Sequence, residues 1–349
     1  MRIGLSAVAL TLSLALVACN NQGGSAGGGA RDQIRAVGSS TVYPFTTTVA
    51  ENFARKNPGF KPAIIESTGT GAGMKLFCAG IGSQHPDIED ASRRIKKSEM
   101  EACQKAGVKD IVEIQIGIDG IILAESRSGP AMMLTPDMVY KALAANPYGK
   151  PQTARTWKDI DPSLPATKIQ VYGPPPTSGT RDAFAELILD KGCNSDPATK
   201  ALKKTDEDKY KAICTKIRED GVYVEAGEND NLIVQKLGAN PDAIGIFGYS
   251  FLEENGDKIR GIALNGITPT YDTIASYSYP GARPLFIYVK AAHLKVIPGL
   301  REFVAEYAGN WNKGGYLARR GLIAAPDDVQ AKNVDIAKNM TLFDPATAE

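Results

Sequence analysis

Three short stretches hold the residues best suited to gripping a small anion. Ser39, Ser40 and Thr41 lie in VGSSTVYPF, Ser67, Thr68 and Thr70 in STGTGAGM, and Thr177, Ser178, Gly179, Thr180 and Arg181 in GPPPTSGTRD. Each follows a strand-like run and opens onto helical periodicity. The first turn of a helix offers unpaired N–H groups and the positive end of the macrodipole, and glycine lets the backbone come close to whatever sits there. Hydroxyl groups add donors without net charge, which suits a dehydrated oxyanion whose oxygens each take two or three hydrogen bonds. Taken singly, each stretch is also an ordinary N-cap or turn. Three of them in an open α/β sheet converge on the edge where strand ends and helix starts meet. The prolines at 174–176 fix φ and pre-orient the third turn. Arg93 and Arg181 are candidate cations, because a guanidinium fork grips two oxygens at once; a surface ion pair is the competing use for each.

Catalytic patterns are missing by the same reading. The chain has no G-x-S-x-G elbow and no H-E-x-x-H, and the segment from Gly69 to Lys75 misplaces the P-loop glycine and lacks a hydroxyl after the lysine. Only His85 and His293 are histidines, and no cysteine pair has C-x-x-C spacing. The expectation is a binding protein and not an enzyme, with no metal and no cofactor.

The elements that must position these turns read as α/β with mainly parallel sheets. Strand-like runs at 34–37 and 61–66 alternate with helical ones at 45–57 and 73–81. Val49 and Phe53, with Ala50 and Ala54 beside them, give the first helix an apolar stripe. A second series holds helical text at 135–146, 182–191 and 230–237, a strand at 169–172, and helical text again at 298–311 and 314–320. Two long apolar runs, IVEIQIGIDGIIL at 111–123 and RPLFIYV at 283–289, are long enough to cross between lobes. They predict lobe 1 from 33–116 with 284–349, lobe 2 from 117–283, and a cleft between.

Arg2 is followed by a mostly apolar run to Val17, the pattern of a signal-peptide core and short for a bilayer span. The run ends in Leu16-Val17-Ala18-Cys19, which resembles the bacterial lipobox, so residues 1–18 are expected to be a signal peptide. Residues 19–32, rich in glycine, are expected to be a flexible tether lipidated at Cys19. Removing Arg2 turns 40 basic and 39 acidic side chains into 39 and 39, a neutral body. An anion must then be held by local geometry, and nucleic acid is a poor partner. With Cys19 set aside, four cysteines remain for an oxidising compartment, and their order favours Cys78–Cys103 and Cys193–Cys214.

With these residues in view, the chain resembles the PstS family, the substrate-binding proteins of phosphate ABC transporters. VGSSTVYPF, STGTGAGMKLFCAG, PDIEDASRRIKKSE, GIDGIILA, PPPTSGTRDAF, DNLIVQKLGANPDAIGIFGYSF and RPLFIYVK occur in the family's order. The resemblance implies a two-lobed periplasmic binding protein fold of type II. It implies a monomer in the periplasm or cell envelope that closes on inorganic phosphate and delivers it to a membrane permease. Its ligand contacts fall on Ser40, Thr41, Thr70, Ser178, Gly179 and Thr180, with Ser92 beside a fourth contact segment. Two positions depart from the family: Arg93 stands where many members carry a proton-accepting aspartate, and Pro174 where they carry an arginine. Arg93 and Arg181 are the candidates for the lost cation and Asp119 for the lost acceptor. Sulfate binding, or phosphate sensing without transport, stays open as an alternative.

Overall fold

The computed structural model describes residues 31–176, 178–227 and 230–349. Strands β1 (Arg35–Gly38), β2 (Ile64–Ser67) and β3 (Ile88–Ala91) alternate with helices α1 (Tyr43–Lys56), α2 (Thr70–Phe77) and α3 (Lys97–Lys105). The 16-residue strand β4 (Ile111–Ser126) then runs out of this first lobe, and at about 3.3 Å per residue it spans roughly 50 Å. The second lobe holds β5 (Met133–Leu134), α4 (Pro136–Leu143), β6 (Val171–Gly173), α5 (Gly179–Phe184), β7 (Tyr223–Glu225), β8 (Ile244–Gly248), β9 (Ile259–Gly261) and β10 (Ala263–Leu264). Strand β11 (Ala282–Lys290) leads back to the first lobe.

Nine of these strands join in one curled sheet, ordered β2-β1-β3-β11-β4-β8-β6-β7, with β9 beside the far end of β4. The outer strands of each lobe run parallel, as β1 does with β2 and β3, and β6 with β7 and β8. The crossing strands make the sheet mixed: β11 lies antiparallel to β3 and β4, and β4 antiparallel to β8. One crossing strand leaves the first lobe and the other returns, so the two must oppose each other.

Apolar packing divides with the crossings. Val49, Phe53, Ile114, Leu285, Phe303 and Tyr307 belong to a core under α1, and Met74, Phe77 and Tyr288 to a second on the opposite face of that sheet. Trp157, Ile188, Tyr210, Phe247 and Tyr279 belong to the core of the other lobe, where Ile323 from the C-terminal segment also packs. Disulfide Cys78–Cys103 ties the end of α2 to α3, and Cys193–Cys214 closes a loop in the second lobe. Both match the pairing expected from cysteine order.

Helical text at 314–320 does not form a helix; only a 3-10 turn, Ala318–Arg320, is present, ended by Gly321 in the left-handed region at φ 94°. Arg31 and Asp32, the end of the expected tether, are held on the first lobe. The Arg31 guanidinium lies 2.6 Å from both carboxylate oxygens of Asp87, and Asp32 pairs with Lys61. Cys19 and residues 1–18 lie outside the described residues.

Candidate functional site

The first hydroxyl turn is shaped by Gly38 and Ser39. Gly38 sits at φ 134°, and a side chain there would run into the Asp90 carbonyl, so glycine is required where β1 ends against β3. Ser39 donates its backbone N–H to the Asp90 carbonyl at 2.7 Å, and its hydroxyl oxygen accepts from the N–H groups of Thr41 and Val42. This internal cap fixes Ser40 and Thr41 at the mouth of α1. The third turn is built alike: the Ser178 hydroxyl oxygen caps α5 by accepting from the Thr180 N–H at 3.2 Å. Thr177 lies outside the described residues.

These two turns meet across the cleft. The Ser40 hydroxyl donates to Asp182 at 2.6 Å, and the Thr41 hydroxyl donates to the Gly179 carbonyl at 3.1 Å. Ser40, Thr41, Ser178, Gly179 and Thr180 line a single cavity of about 440 Å3 together with Asp119. Ser67, from the start of the second turn, also lines it, while Thr70 does not. Thr70 and Ser92 instead bond to each other, hydroxyl to hydroxyl at 3.1 Å, with the Ser92 N–H donating to the Thr70 hydroxyl oxygen.

Neither candidate arginine faces the cavity. Arg93 is engaged by Glu99, whose two carboxylate oxygens lie 2.7 and 2.9 Å from its guanidinium. Arg181 turns under α5, donating to the Pro174 carbonyl at 3.0 Å and stacking 4.4 Å over the Tyr223 ring. The guanidinium at the site is Arg283, on the returning strand β11. It is only 6% exposed and joins three elements. Its Nε donates to Asp119 at 3.3 Å, one terminal nitrogen donates to the Thr41 hydroxyl at 2.8 Å, and the other donates to Glu186 at 2.5 Å.

Asp119 and Arg283 are direct cross-strand partners of β4 and β11, so the register of the crossing pair sets their contact. Burial raises Asp119 above its ordinary carboxylate value, Arg283 pulls it back, and Glu186 adds to the rise. Glu186 itself is 63% exposed. The arrangement offers hydroxyl and amide donors from both lobes, one buried cation and one buried carboxylate that can take a proton. Asp119 was only a weak candidate in the sequence and Arg283 was not one. The available signal was a lone charge inside each long apolar crossing run, GIDGIIL and RPLFIYV, where burial forces a charged side chain to find a partner.

Residues 23–310 match the model of the PBP superfamily domain. The chain is 33% identical over 305 residues to protein SphX of Synechococcus elongatus, covering 85% of this chain and 78% of that one. It is 30% identical over 325 residues to the phosphate-binding protein PstS of Staphylococcus saprophyticus, covering 91% and 88%. The chain belongs to the PstS family. A crystal structure of a possible phosphate binding protein from Planctomyces limnophilus superposes with a TM-score of 0.70 at 30% identity, over 87% of this chain and 98% of that one. An ABC-type phosphate transport receptor from Vibrio cholerae, 19% identical, shares the fold with a TM-score of 0.56 over 82% and 96%. Among the described residues no helix is long and apolar enough to cross a membrane, and no cluster of three or more histidine, cysteine or carboxylate side chains is placed to hold a metal ion.

Proposed function

We propose that this PstS-family protein captures inorganic phosphate in the cell envelope as a monomer and delivers it to the permease of an ABC transporter, tethered through Cys19. The observation that carries the reading is the meeting of Ser40 and Thr41 with Ser178, Gly179 and Thr180 around one cavity floored by Asp119 and backed by Arg283. Phosphate bridges the two turns and holds the lobes, residues 33–116 with 284–349 and residues 117–283, closed about the crossing strands. Thr70 and Ser92 support the second turn from behind. Arg283 takes the charge role for which Arg93 and Arg181 were candidates, because those two already have partners. Asp119 accepts the proton that phosphate still bears at neutral pH and sulfate lacks. The scheme contains no catalytic step.

Calorimetry with phosphate and sulfate at pH 7, on the wild type and on Asp119→Asn, tests this. A sulfate oxygen facing the carboxylate leaves a buried acceptor without a donor, which costs about 1–3 kcal/mol, so phosphate should bind roughly ten- to a hundredfold tighter. Asp119→Asn should narrow the gap by giving sulfate a donor, and so should acidification, which protonates a carboxylate already raised by burial. Equal affinities for the two anions in the wild type would overturn the assignment.

A further inference from the structure

We infer that the same cleft also accepts inorganic diphosphate, with one phosphoryl group on the hydroxyl turns and the second held by Arg320. The inference rests on the phosphate reading above and extends it to a larger ligand.

The cavity is too large for one oxyanion. Its volume of about 440 Å3 equals that of roughly 15 waters at about 30 Å3 each, whereas orthophosphate has five heavy atoms. Further closure does not remove this space at the inner end, because the lobes already touch there through Ser40 with Asp182 and Thr41 with Gly179. The room extends instead toward Ser67, Ser250, Gly321 and Arg320, away from the closed contact.

Arg320 is exposed, and among the described residues it has no carboxylate within ion-pair distance; its Nε donates only to the Thr48 hydroxyl, at 3.3 Å. This contrasts with Arg283 at the inner end, which is matched by two carboxylates. An unmatched guanidinium at the open end of an oxyanion cavity supplies a bidentate fork for a second phosphoryl group. A smaller hollow continues from it, sharing Ser250 and Gly321 and bounded by Lys313 and Glu253. Lys313 lies 4.1 Å over the Tyr271 ring, which adds positive charge on that side. An uncharged substituent on the phosphate would gain nothing from Arg320, so a doubly anionic ligand is the better match.

The test is calorimetry of the mature protein, dialysed free of anion and chelated free of metal, with sodium diphosphate and with orthophosphate. Diphosphate should bind one to one and compete with orthophosphate. Arg320→Gln should weaken diphosphate by roughly tenfold or more, the scale of a charge-assisted bidentate contact, and leave orthophosphate within about twofold. Arg320→Lys should restore part of the loss, and unchanged melting of the free variants separates charge from folding. If orthophosphate binds and diphosphate fails to compete at millimolar concentration, or if Arg320→Gln weakens both anions equally, this inference falls while the phosphate assignment stands. If neither anion binds, the phosphate assignment falls and this inference with it.

Discussion

Gly179 is the point where closure can be blocked without touching a charge. It opens α5 in the second lobe, and a Cβ placed on it would lie 2.6 Å from the Ser40 carbonyl carbon and oxygen and from the Thr41 nitrogen of the first lobe. Those are backbone atoms, so no rotamer change relieves the contact. Restoring an ordinary 3.4 Å separation requires the lobes to part by about 0.8 Å at this seam. Both cross-lobe hydrogen bonds, Thr41 to the Gly179 carbonyl and Ser40 to Asp182, are lost or stretched by that movement. At about 1 kcal/mol each, Gly179→Ala should weaken phosphate binding by about 2 kcal/mol, roughly thirtyfold. The free protein should melt no lower than the wild type, since alanine is tolerated in a helical first turn and favours it. Calorimetry gives the affinity, and melting with and without phosphate gives the coupling: at a fixed excess of ligand the stabilisation should shrink by the same roughly 2 kcal/mol. Affinity within about twofold of wild type would refute the cross-lobe seam as a determinant of binding. A fall in the free protein's melting temperature would show instead that lobe 2 itself is disturbed.

Two further perturbations probe the scaffold under the site. Asp90, fully buried on β3, is pushed up to about 8 by burial, with the Thr46 hydroxyl bond acting in the opposite direction. Its folded value therefore lies above its ordinary 3.8, so its contribution to stability is complete below that value and is lost as pH rises toward 8, by about 1.4 kcal/mol per pH unit. Neighbouring Glu89, whose carboxylate oxygens have no partner among the described residues, is raised in the same direction by burial and by Asp90. Melting curves from pH 5 to 8 should fall more steeply for the wild type than for Asp90→Asn, which keeps an acceptor for Thr46; parallel curves would contradict the buried, protonated state. The Cys193–Cys214 bridge encloses a separation of 21 residues, so Cys193→Ser with Cys214→Ser should cost about 3 kcal/mol in the chain-entropy account, read from urea midpoints. An unchanged midpoint would mean that the bridge constrains nothing in the unfolded chain.

Much of the architecture was readable because it is encoded between near neighbours. The change from a period of two to one of 3.6 marks β1, α1 and β2, and the uninterrupted apolar runs mark β4 and β11 as strands buried on both faces. Cysteine order was enough for the bridges because each joins residues fewer than thirty apart. The hydroxyl turns were legible for a similar reason, since cap chemistry needs only the residues that flank it. The same logic failed at 314–320, where Gly314, Gly315 and Gly321 broke a pattern that otherwise looked helical.

The charges were a different matter. Arg93 finds Glu99 six positions away, and Arg181 finds Pro174 and a ring from β7, so neither reaches the cleft. Arg283 reaches Thr41 across 242 positions of sequence. A guanidinium at the end of a long side chain pairs with whatever carboxylate or hydroxyl the packed strands bring within reach. Sequence spacing alone determined which backbone groups would be offered to an anion. The register of β11 on β4, and the closing of one lobe against the other, decided which cation stands behind them.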